Sequence, residues 1–262
     1  SSTSRGLGDV YKRQLMHRRR HLPLHNTEPA FFGRGQDNEK KWNSISSKLK
    51  TRKKLEQLGW LDTPIEYRYN SNNFRSIEFE EPHDAIACFG CSHTEGEGVR
   101  QEFRWSDVLA NMLGLKCYNL GEGGSGINSH YTNVSTWIPK LKPKAVFVFA
   151  SYPFRYDFYY KGKRITLNKT IYGASDRMEK KHFEIMWQSF FSDDRNFSSN
   201  HKKSMEAIKY ICLQLDIPCV VIPVEEYFLT DPVDRCARDL EHPGESQHGR
   251  IAEAMLKEYR NA

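Results

Sequence analysis

Two different spacings of hydrophobic residues alternate along the chain from residue 84 to its end. Four short apolar runs are bounded by turn-forming residues, which is typical of buried strands in a parallel sheet. These runs are DAIACFG, KCYNLG, KAVFVFA and IPCVVIPV. Other stretches carry apolar residues at helical spacing, namely WSDVLANMLG, INSHYTNVSTWIPKL, SMEAIKYICLQLD and GESQHGRIAEAMLKEYR. Because strands alternate with helices, the pattern predicts a parallel sheet with helices on both faces.

Two regions depart from this alternation. Between about residues 155 and 200, FYYKGKRITL predicts a hairpin that turns at Lys161–Lys163, and MEKKHFEIMWQSFF predicts an added helix. In the polar residues 15–80, SISSKLKTRKKLEQLGWL predicts a short helix ending at Gly59, and IEYRYNSNNFRSIEFEEP predicts a strand or hairpin. We therefore expect a polar extension over residues 15–80 and an α/β domain with an insertion over residues 81–262.

The composition is that of a globular protein, since 38% of the 262 residues are hydrophobic and 13% are aromatic. No apolar run approaches the ~20 residues that a membrane-spanning helix needs, so no membrane span is expected. The first residues lack the charged-then-apolar pattern of a secretory signal, which makes a cytoplasmic location the default expectation.

The net charge of +6 is concentrated near the N-terminus, where residues 15–60 hold eleven lysines and arginines but only four acidic residues. The run HRRRH at His17–His21 suggests either contact with a nucleic acid or anionic surface, or a solvated arm. We favour the solvated arm, and nucleic acid is not an expected partner. Residues 1–14 contain DVYKRQ, which resembles a translated transposon-end sequencing adapter, so we expect them to be an artefact of environmental (metagenomic) sequence data.

The cysteines are scattered, and several lie in strand-like runs, which favours buried free thiols over a disulfide framework. They are Cys88, Cys91, Cys117, Cys212, Cys219 and Cys236. Cys88 and Cys91 form a C-x-x-C pair, but Cys88 falls inside a predicted strand, whereas a redox dithiol normally opens a helix. No metal site is expected either, because His17, His21 and His25 have no matching ligands nearby.

Residues suited to acyl-transfer chemistry follow the predicted strands. Ser92 follows the first strand, GEGGSG the second and SYPFRY the third, while RDLEHPG, with Asp239 and His242, precedes the last helix. Ligands of open parallel sheets bind beyond the carboxyl ends of the strands, where these segments are expected to meet. A serine needs an adjacent base to act as a nucleophile, a histidine can take its proton, and a carboxylate can orient the histidine.

These segments resemble the sequence blocks of the SGNH (GDSL-type) hydrolases. FGCSHTEG resembles the first block, NLGEGG the second and DLEHPG the last, in the family's order. The resemblance covers about residues 84–259 and implies a flavodoxin-like three-layer α/β/α fold. It also implies that Ser92 is the nucleophile, that His242 and Asp239 complete the triad, and that the N–H groups of Ser92 and Gly124 bind the oxyanion.

Two positions depart from the family pattern. The aspartate that usually precedes the nucleophile is Cys91, and the third block, which usually supplies an asparagine, reads SYPFRYD without one. One oxyanion donor is therefore missing or replaced, and Ser151 and Arg155 are the candidate replacements. Arg155 has a surface or salt-bridge role as its alternative. Loss of one such donor costs on the order of 10²–10³ in rate in other enzymes.

The other candidates also have structural alternatives. Ser92 fits a turn, Gly124 fits a tight turn, Asp239 fits a capping position, and His242 before a proline fits the start of a helix. Their joint spacing favours catalysis. His93 and His248 we interpret as structural.

Three hypotheses follow. The first is a serine esterase or deacylase that needs no cofactor; the resemblance implies a small acyl ester as substrate, such as an O-acetyl group on a carbohydrate. The second, motivated by the missing asparagine, is a binding module of the same fold with weak or no activity. The third is an adaptor that uses its basic arm. The complete triad favours the esterase.

Overall fold

The computed structural model describes residues 30–80, 84–161, 163–168 and 180–261. The helices are α1 Glu39–Ser46, α2 Leu49–Gln57, α3 Ser92–Glu95, α4 Trp105–Leu113, α5 Ile127–Leu141, α6 Lys180–Met186, α7 Asp194–Gln214, α8 Val224–Thr230 and α9 Glu245–Asn261. A 3₁₀ turn at Gln101–Phe103 and a π-helical turn at Trp187–Phe191 complete the helical elements of these ranges. The strands are β1 Ala85–Gly90, β2 Lys116–Gly121, β3 Ala145–Ala150, β4 Arg155–Tyr160, β5 Lys163–Asn168 and β6 Cys219–Pro223. The adapter-like residues 1–14 and the HRRRH run lie outside the described residues.

Four strands form one sheet in the order β2-β1-β3-β6, and every neighbouring pair is parallel. This is the flavodoxin-like order, in which the chain reverses direction across the sheet between β1 and β3. In the register, Gly90 at the end of β1 lies opposite Gly121 of β2 and Phe149 of β3. The carboxyl ends of these strands are therefore level, and the segments that follow them meet at one edge.

Helices cover both faces of this sheet, which confirms the three-layer α/β/α prediction. On one face, α5 and α7 pack over strand residues such as Ala87, Phe89 and Val148. On the other face, α4 and α9 pack over Ile86 and Phe147. The strands β1 and β3 are buried along their whole length, which explains why their sequences are continuously apolar rather than alternating.

An antiparallel hairpin of β4 and β5 follows the third strand, and α6 comes after it. Asp157 of β4 anchors the hairpin to the start of α5, where its carboxylate accepts the N–H groups of Gly126 at 2.7 Å and Ser129 at 3.2 Å. A carboxylate at this position satisfies N–H groups that have no partner within the helix. The hairpin is thereby held beside the edge where the strands end.

The extension differs from its predicted elements. It contains two helices, α1 and α2, and Gly59 follows α2 in the left-handed conformation at φ 76°. The segment predicted as a strand or hairpin is irregular, with one isolated bridge between Ala30 and Tyr67. Side chains explain the difference, because Asn70 Oδ1 accepts the N–H groups of Asn72 and Phe74, both at 3.0 Å, which a strand ladder would otherwise use.

Two further findings concern the cysteines and the helices of the described residues. All six cysteines are free, and Cys88 and Cys91 are both buried. None of the helices in the described ranges combines the length and the apolar character needed to cross a bilayer.

Candidate active site

Ser92 begins α3 immediately after β1, on a turn that leaves no room for larger residues. Cys91 is extended at φ −88° and ψ −151°, and the chain then enters the short helix. A Cβ on Gly90 would lie 2.0 Å from Thr94 Oγ1 and 2.8 Å from the carbonyl oxygen of Phe149. Glycine at position 90 thus lets α3 pack directly against the sheet, and this packing sets the position of Ser92.

The structure brings together the three side chains that the sequence predicts as a triad. His242 Nε2 lies 2.8 Å from Ser92 Oγ, and His242 Nδ1 lies 2.5 Å from Asp239 Oδ2. The other oxygen of Asp239 accepts the backbone N–H groups of Glu241 at 3.0 Å and His242 at 3.1 Å. Asp239 is therefore held as an acceptor, which leaves Nδ1 as the protonated nitrogen and Nε2 as the one that faces the serine.

Asp239 and His242 shift each other's pKa toward the charged form. Burial by itself would lower the pKa of His242, but the hydrogen bond and the charge of Asp239 outweigh it and raise the pKa above its ordinary value. Burial by itself would raise the pKa of Asp239, but the hydrogen bond with His242 brings the pKa of Asp239 below its ordinary value. Asp239 is consequently ionised at neutral pH and stabilises a proton on His242.

The extension braces the loop that carries Asp239 and His242. Arg238 donates from Nε to Asp37 Oδ1 at 3.0 Å and from Nη2 to Asp37 Oδ2 at 2.7 Å, and both side chains are buried. The indole N–H of Trp60 donates to the carbonyl oxygen of Cys236 at 2.8 Å, and Lys41 pairs with Glu241. Residues far apart in sequence thus fix the loop from outside the sheet.

The glycine-rich loop after β2 lies against α3, the short helix that begins at Ser92. A Cβ on Gly121 would lie 2.2 Å from the backbone nitrogen of Glu95, so the two backbones approach closely. Gly123 donates its N–H to Glu95 Oε2 at 2.7 Å. Gly124 adopts φ 69°, which disfavours other residues, and lines the same cleft as Ser92 and His242. The structure therefore places Gly124 in the cleft, beside Ser92 and His242.

The two candidates after β3 occupy different places. Ser151 is fully buried, its hydroxyl has no hydrogen-bond partner in the described structure, and it does not line the cleft. Its carbonyl oxygen accepts from His201 Nε2 at 2.7 Å. Arg155 begins β4 and does line the cleft; its Nη1 is buried without a hydrogen-bond partner among the described residues. The structure thus places Arg155 in the lining of the cleft and Ser151 outside it.

The cleft has a volume of about 560 Å³ and contains residues that the sequence reasoning missed. They are Arg34, Gln36, Tyr69, Glu95, Glu97 and Arg164. The run TEGEG beside Ser92 was a signal for the two glutamates, whereas no local signal marks Arg34 or Arg164. Two wider depressions, of about 700 and 740 Å³, contain none of the triad residues.

Glu97, Asp239 and His242 form an acidic and histidine cluster, with one possible ligand atom from each within 4.8 Å of the others. The Asp239 carboxylate contacts Nδ1 of the imidazole, whereas Glu97 Oε2 faces Nε2 at 3.4 Å. These nitrogens lie on different sides of the ring, so a single ion on Nε2 would not reach Asp239. The arrangement therefore favours an Asp–His pair with an additional carboxylate over a three-ligand metal centre.

The two histidines interpreted as structural are buried. His93 packs edge-on against His242 with ring centroids 5.6 Å apart, and burial lowers its pKa well below the ordinary value. His248 Nδ1 accepts the backbone N–H of Trp105 at 3.0 Å, and burial lowers its pKa to about 3. Both rings are neutral at physiological pH and pack between the sheet and its helices.

No family model matches the chain, and no curated protein matches its sequence. Several solved structures are similar to this chain. One is a protein from Desulfitobacterium hafniense that is described as a lipolytic protein of the G-D-S-L family. It has 14% identity over 67% of this chain and 99% of its own, with a TM-score of 0.34. A psychrotrophic esterase from Pseudoalteromonas has 12% identity over 68% of this chain and 100% of its own, with a TM-score of 0.37. An acetylxylan esterase from Geobacillus stearothermophilus has 13% identity over 70% of this chain and 96% of its own, with a TM-score of 0.35.

Proposed function

We propose that the protein is a serine esterase or deacylase that hydrolyses a small acyl ester. The observation that carries this proposal is the continuous hydrogen-bond chain from Ser92 through His242 to Asp239, with distances of 2.8 and 2.5 Å. The chain lies where the strand order reverses, which is the usual ligand position in such sheets. Its members come from two loops 150 residues apart in sequence.

Ser92 and His242 would perform the two halves of the reaction. His242 Nε2 takes the hydroxyl proton while Ser92 Oγ attacks the ester carbonyl, and Asp239 stabilises the resulting imidazolium. The tetrahedral intermediate collapses, His242 gives the proton to the leaving alcohol, and an acyl-Ser92 ester remains. A water molecule then attacks this ester by the same proton transfers, which releases the acid and restores the serine.

The developing negative charge would be met by the N–H groups of Ser92 and Gly124, as the sequence blocks imply. Ser92 lies at the first position of its helix, where an N–H has no acceptor within the helix. Arg155 lines the cleft where the family's asparagine is missing, and its guanidinium carries several donors and a fixed charge. Arg155 is therefore our candidate for the third contact to the oxyanion or to an anionic part of the substrate.

The lining of the cleft supports a polar alcohol as the leaving group. Charged and hydroxyl-bearing side chains surround Ser92, and they include Arg34, Tyr69, Glu95, Glu122, Arg164 and Thr166. Such a lining offers hydrogen bonds to the hydroxyl groups of a sugar. An O-acetyl group on a carbohydrate is therefore our candidate substrate.

A second candidate is a carbohydrate-binding module that lacks turnover. Two observations favour this candidate. The third block lacks its asparagine, and the hydroxyl of Ser151 is buried without a hydrogen-bond partner in the described structure. Neither position therefore supplies the cleft with a neutral donor for the oxyanion. Such a module would bind an acetylated oligosaccharide in the same cleft and leave it intact.

Labelling with a fluorophosphonate probe separates the two candidates, because the probe reacts with an activated serine whatever its substrate is. We expect the wild-type protein to be labelled and to hydrolyse p-nitrophenyl acetate. Ser92→Ala should lose both properties while keeping the wild-type circular dichroism spectrum. Ser135→Ala, a change at an exposed serine of α5, is the matched control and should keep both. A wild-type protein that takes no label beside a labelled control esterase would exclude the esterase and support the binding module.

A further inference from the structure

Glu97 lies on the turn that ends the nucleophile helix, five residues after Ser92. Gly96 and Gly98 flank it at φ 79° and 74°, so the chain bends sharply on both sides of the glutamate. The backbone N–H of Glu97 donates to the carbonyl oxygen of Ser92 at 3.2 Å. Only 3% of the residue is exposed, which is rare for a glutamate and indicates that it has a definite partner.

That partner is the catalytic base. Glu97 Oε2 lies 3.4 Å from His242 Nε2, the same nitrogen that is 2.8 Å from Ser92 Oγ. The other oxygen, Oε1, accepts the backbone N–H of Gln36 at 3.1 Å. Gly35 packs so closely on the carboxyl that a Cβ there would lie 1.2 Å from Oε1. The extension therefore holds one oxygen of Glu97 and leaves the other facing Nε2.

The surroundings of Glu97 favour a neutral carboxyl group in the absence of His242. Burial, then the charge of Glu95 on the same turn, and Asp239 raise the pKa of Glu97, while His242 lowers it, and the resulting pKa is about 7. The N–H of Gln36, in the extension, favours the ionised form. Around His242, the acidic groups are Asp239, Glu97 and Glu241, and the ring of His93 packs on the imidazole.

We propose that the Glu97 carboxylate, 3.4 Å from Nε2, stabilises a proton on Nε2 of His242, which makes Glu97 a positioning residue that competes with Ser92 for the base. The inference rests on the proposed function, since the competition affects turnover only if His242 is the base. While Nε2 carries this proton, it has no free lone pair to receive the hydroxyl proton of Ser92. Loss of the proton at higher pH frees Nε2 and switches the triad on.

The pH dependence of turnover tests this directly. We expect kcat/KM for p-nitrophenyl acetate to rise with pH as Nε2 of His242 loses its proton. In Glu97→Gln the neutral amide no longer stabilises a proton on Nε2, so this rise should move to lower pH by about one unit. Below the wild-type midpoint, the variant should consequently be more active than the wild type, by up to about tenfold. An unchanged midpoint in a folded Glu97→Gln would overturn the proposal.

Glu241→Gln is the matched control, because Glu241 adjoins His242 in sequence but pairs with Lys41 at the surface. It removes the same charge at a greater distance from Nε2, so its midpoint should shift much less. A shift as large as that of Glu97→Gln would mean that the net charge, rather than the contact at 3.4 Å, sets the midpoint. Glu97→Ala provides a second variant, with the same expected direction, in case the amide does not fold.

A titration of His242 by ¹⁵N NMR makes the result independent of turnover. The imidazole signals are assigned by their loss in His242→Gln, and the titration is run on wild type and Glu97→Gln. If the midpoint of His242 falls in the variant although no ester is hydrolysed, the stabilisation by Glu97 stands and the proposed esterase function fails. If esters are hydrolysed but the His242 titration is the same in both proteins, the esterase function stands and the stabilisation by Glu97 is excluded.

Discussion

The two sides of the cleft differ in how completely their polar groups are paired. One side is the loop of residues 234–244 with Asp239 and His242, which we call the braced side. There the Arg238 guanidinium makes a two-point contact with Asp37, and both oxygens of Asp239 accept hydrogen bonds. The other side is the turn of residues 151–155, the open side, where Ser151 Oγ and Arg155 Nη1 are buried without a hydrogen-bond partner in the described structure.

The two sides also differ in how closely they keep the sequence blocks described above. The braced side keeps the D-x-x-H-P pattern, and its groups are fixed before any substrate arrives. The open side lacks the asparagine of the third block. Most buried polar groups of proteins are hydrogen-bonded, so the unpartnered Nη1 of Arg155, which lines the cleft, indicates a contact that a ligand completes. The side of Asp239 and His242 is therefore preorganised, whereas Arg155 Nη1 on the open side is not held by a hydrogen bond within the described structure.

The largest expected effect is on the braced side, in Asp239→Asn. An asparagine cannot hold the Nδ1–H tautomer in the same way, so kcat for p-nitrophenyl acetate should fall by about 10⁴ with little change in KM. The matched control is Asp231→Asn, which removes a carboxylate that pairs with Arg250 away from the triad. A loss of less than tenfold in Asp239→Asn would show that His242 does not depend on this carboxylate.

The second prediction breaks the brace itself. Asp37→Ala leaves the buried guanidinium of Arg238 without its carboxylate, so the free energy of unfolding should fall by about 3–5 kcal/mol. Urea denaturation measures this change. The double variant Asp37→Leu with Arg238→Met removes both charges and should recover most of the lost stability. If Asp37→Ala unfolds at the same urea concentration as the wild type, the extension does not hold the loop.

The third prediction concerns Arg155 on the open side. If the guanidinium contacts the oxyanion, Arg155→Ala should lower kcat by about 10²–10³ and change KM less, because the contact forms mainly in the transition state. If it binds an anionic part of the substrate instead, KM should rise with kcat nearly unchanged. Arg155→Lys keeps the charge without the planar fork and should recover part of the loss. Unchanged kinetics across several acyl esters would remove Arg155 from the site.

The smallest effect is expected for Ser151→Ala. The hydroxyl is buried, makes no hydrogen bond in the described structure and lies outside the cleft lining. Its removal should therefore leave kcat/KM unchanged and alter the free energy of unfolding by less than about 1 kcal/mol. A loss of kcat of tenfold or more would instead identify Ser151 as the replacement for the missing asparagine and would reverse the roles of the two candidates.

Much of the fold could be predicted because its signals are local. Continuous apolar runs mark β1 and β3, and helical spacing marks α4, α5 and α9, since each pattern depends only on neighbouring residues. The extension was predicted less well. Its segment after α2 alternates like a strand, but the side chain of Asn70 binds the backbone N–H groups that a neighbouring strand would need.

The candidate triad could also be located from the sequence, because Ser92, Asp239 and His242 each lie in a short block with a defined spacing. The contact of Glu97 with His242 could not be located in this way, although the run TEGEG lies beside Ser92. This contact joins residues 145 positions apart and depends on the way Gly35 and Gln36 press the carboxyl toward the ring. The sequence also could not decide whether Ser151 or Arg155 replaces the missing asparagine. The structure distinguishes them because β4 begins at Arg155 and brings this residue into the cleft lining.

The sequence by itself determined the alternation of strands and helices, the turn that presents Ser92 and the pairing of Asp239 with His242. These features arise from backbone geometry and from side chains within a few residues of each other. The tertiary structure decided that the extension braces the loop of Asp239 and His242 through Asp37 and Arg238, 201 positions apart, and that Glu97 faces the ring of His242. The physical reason is that burial and the distance between charges depend on how separate elements pack, and these quantities set the pairing and protonation of the site.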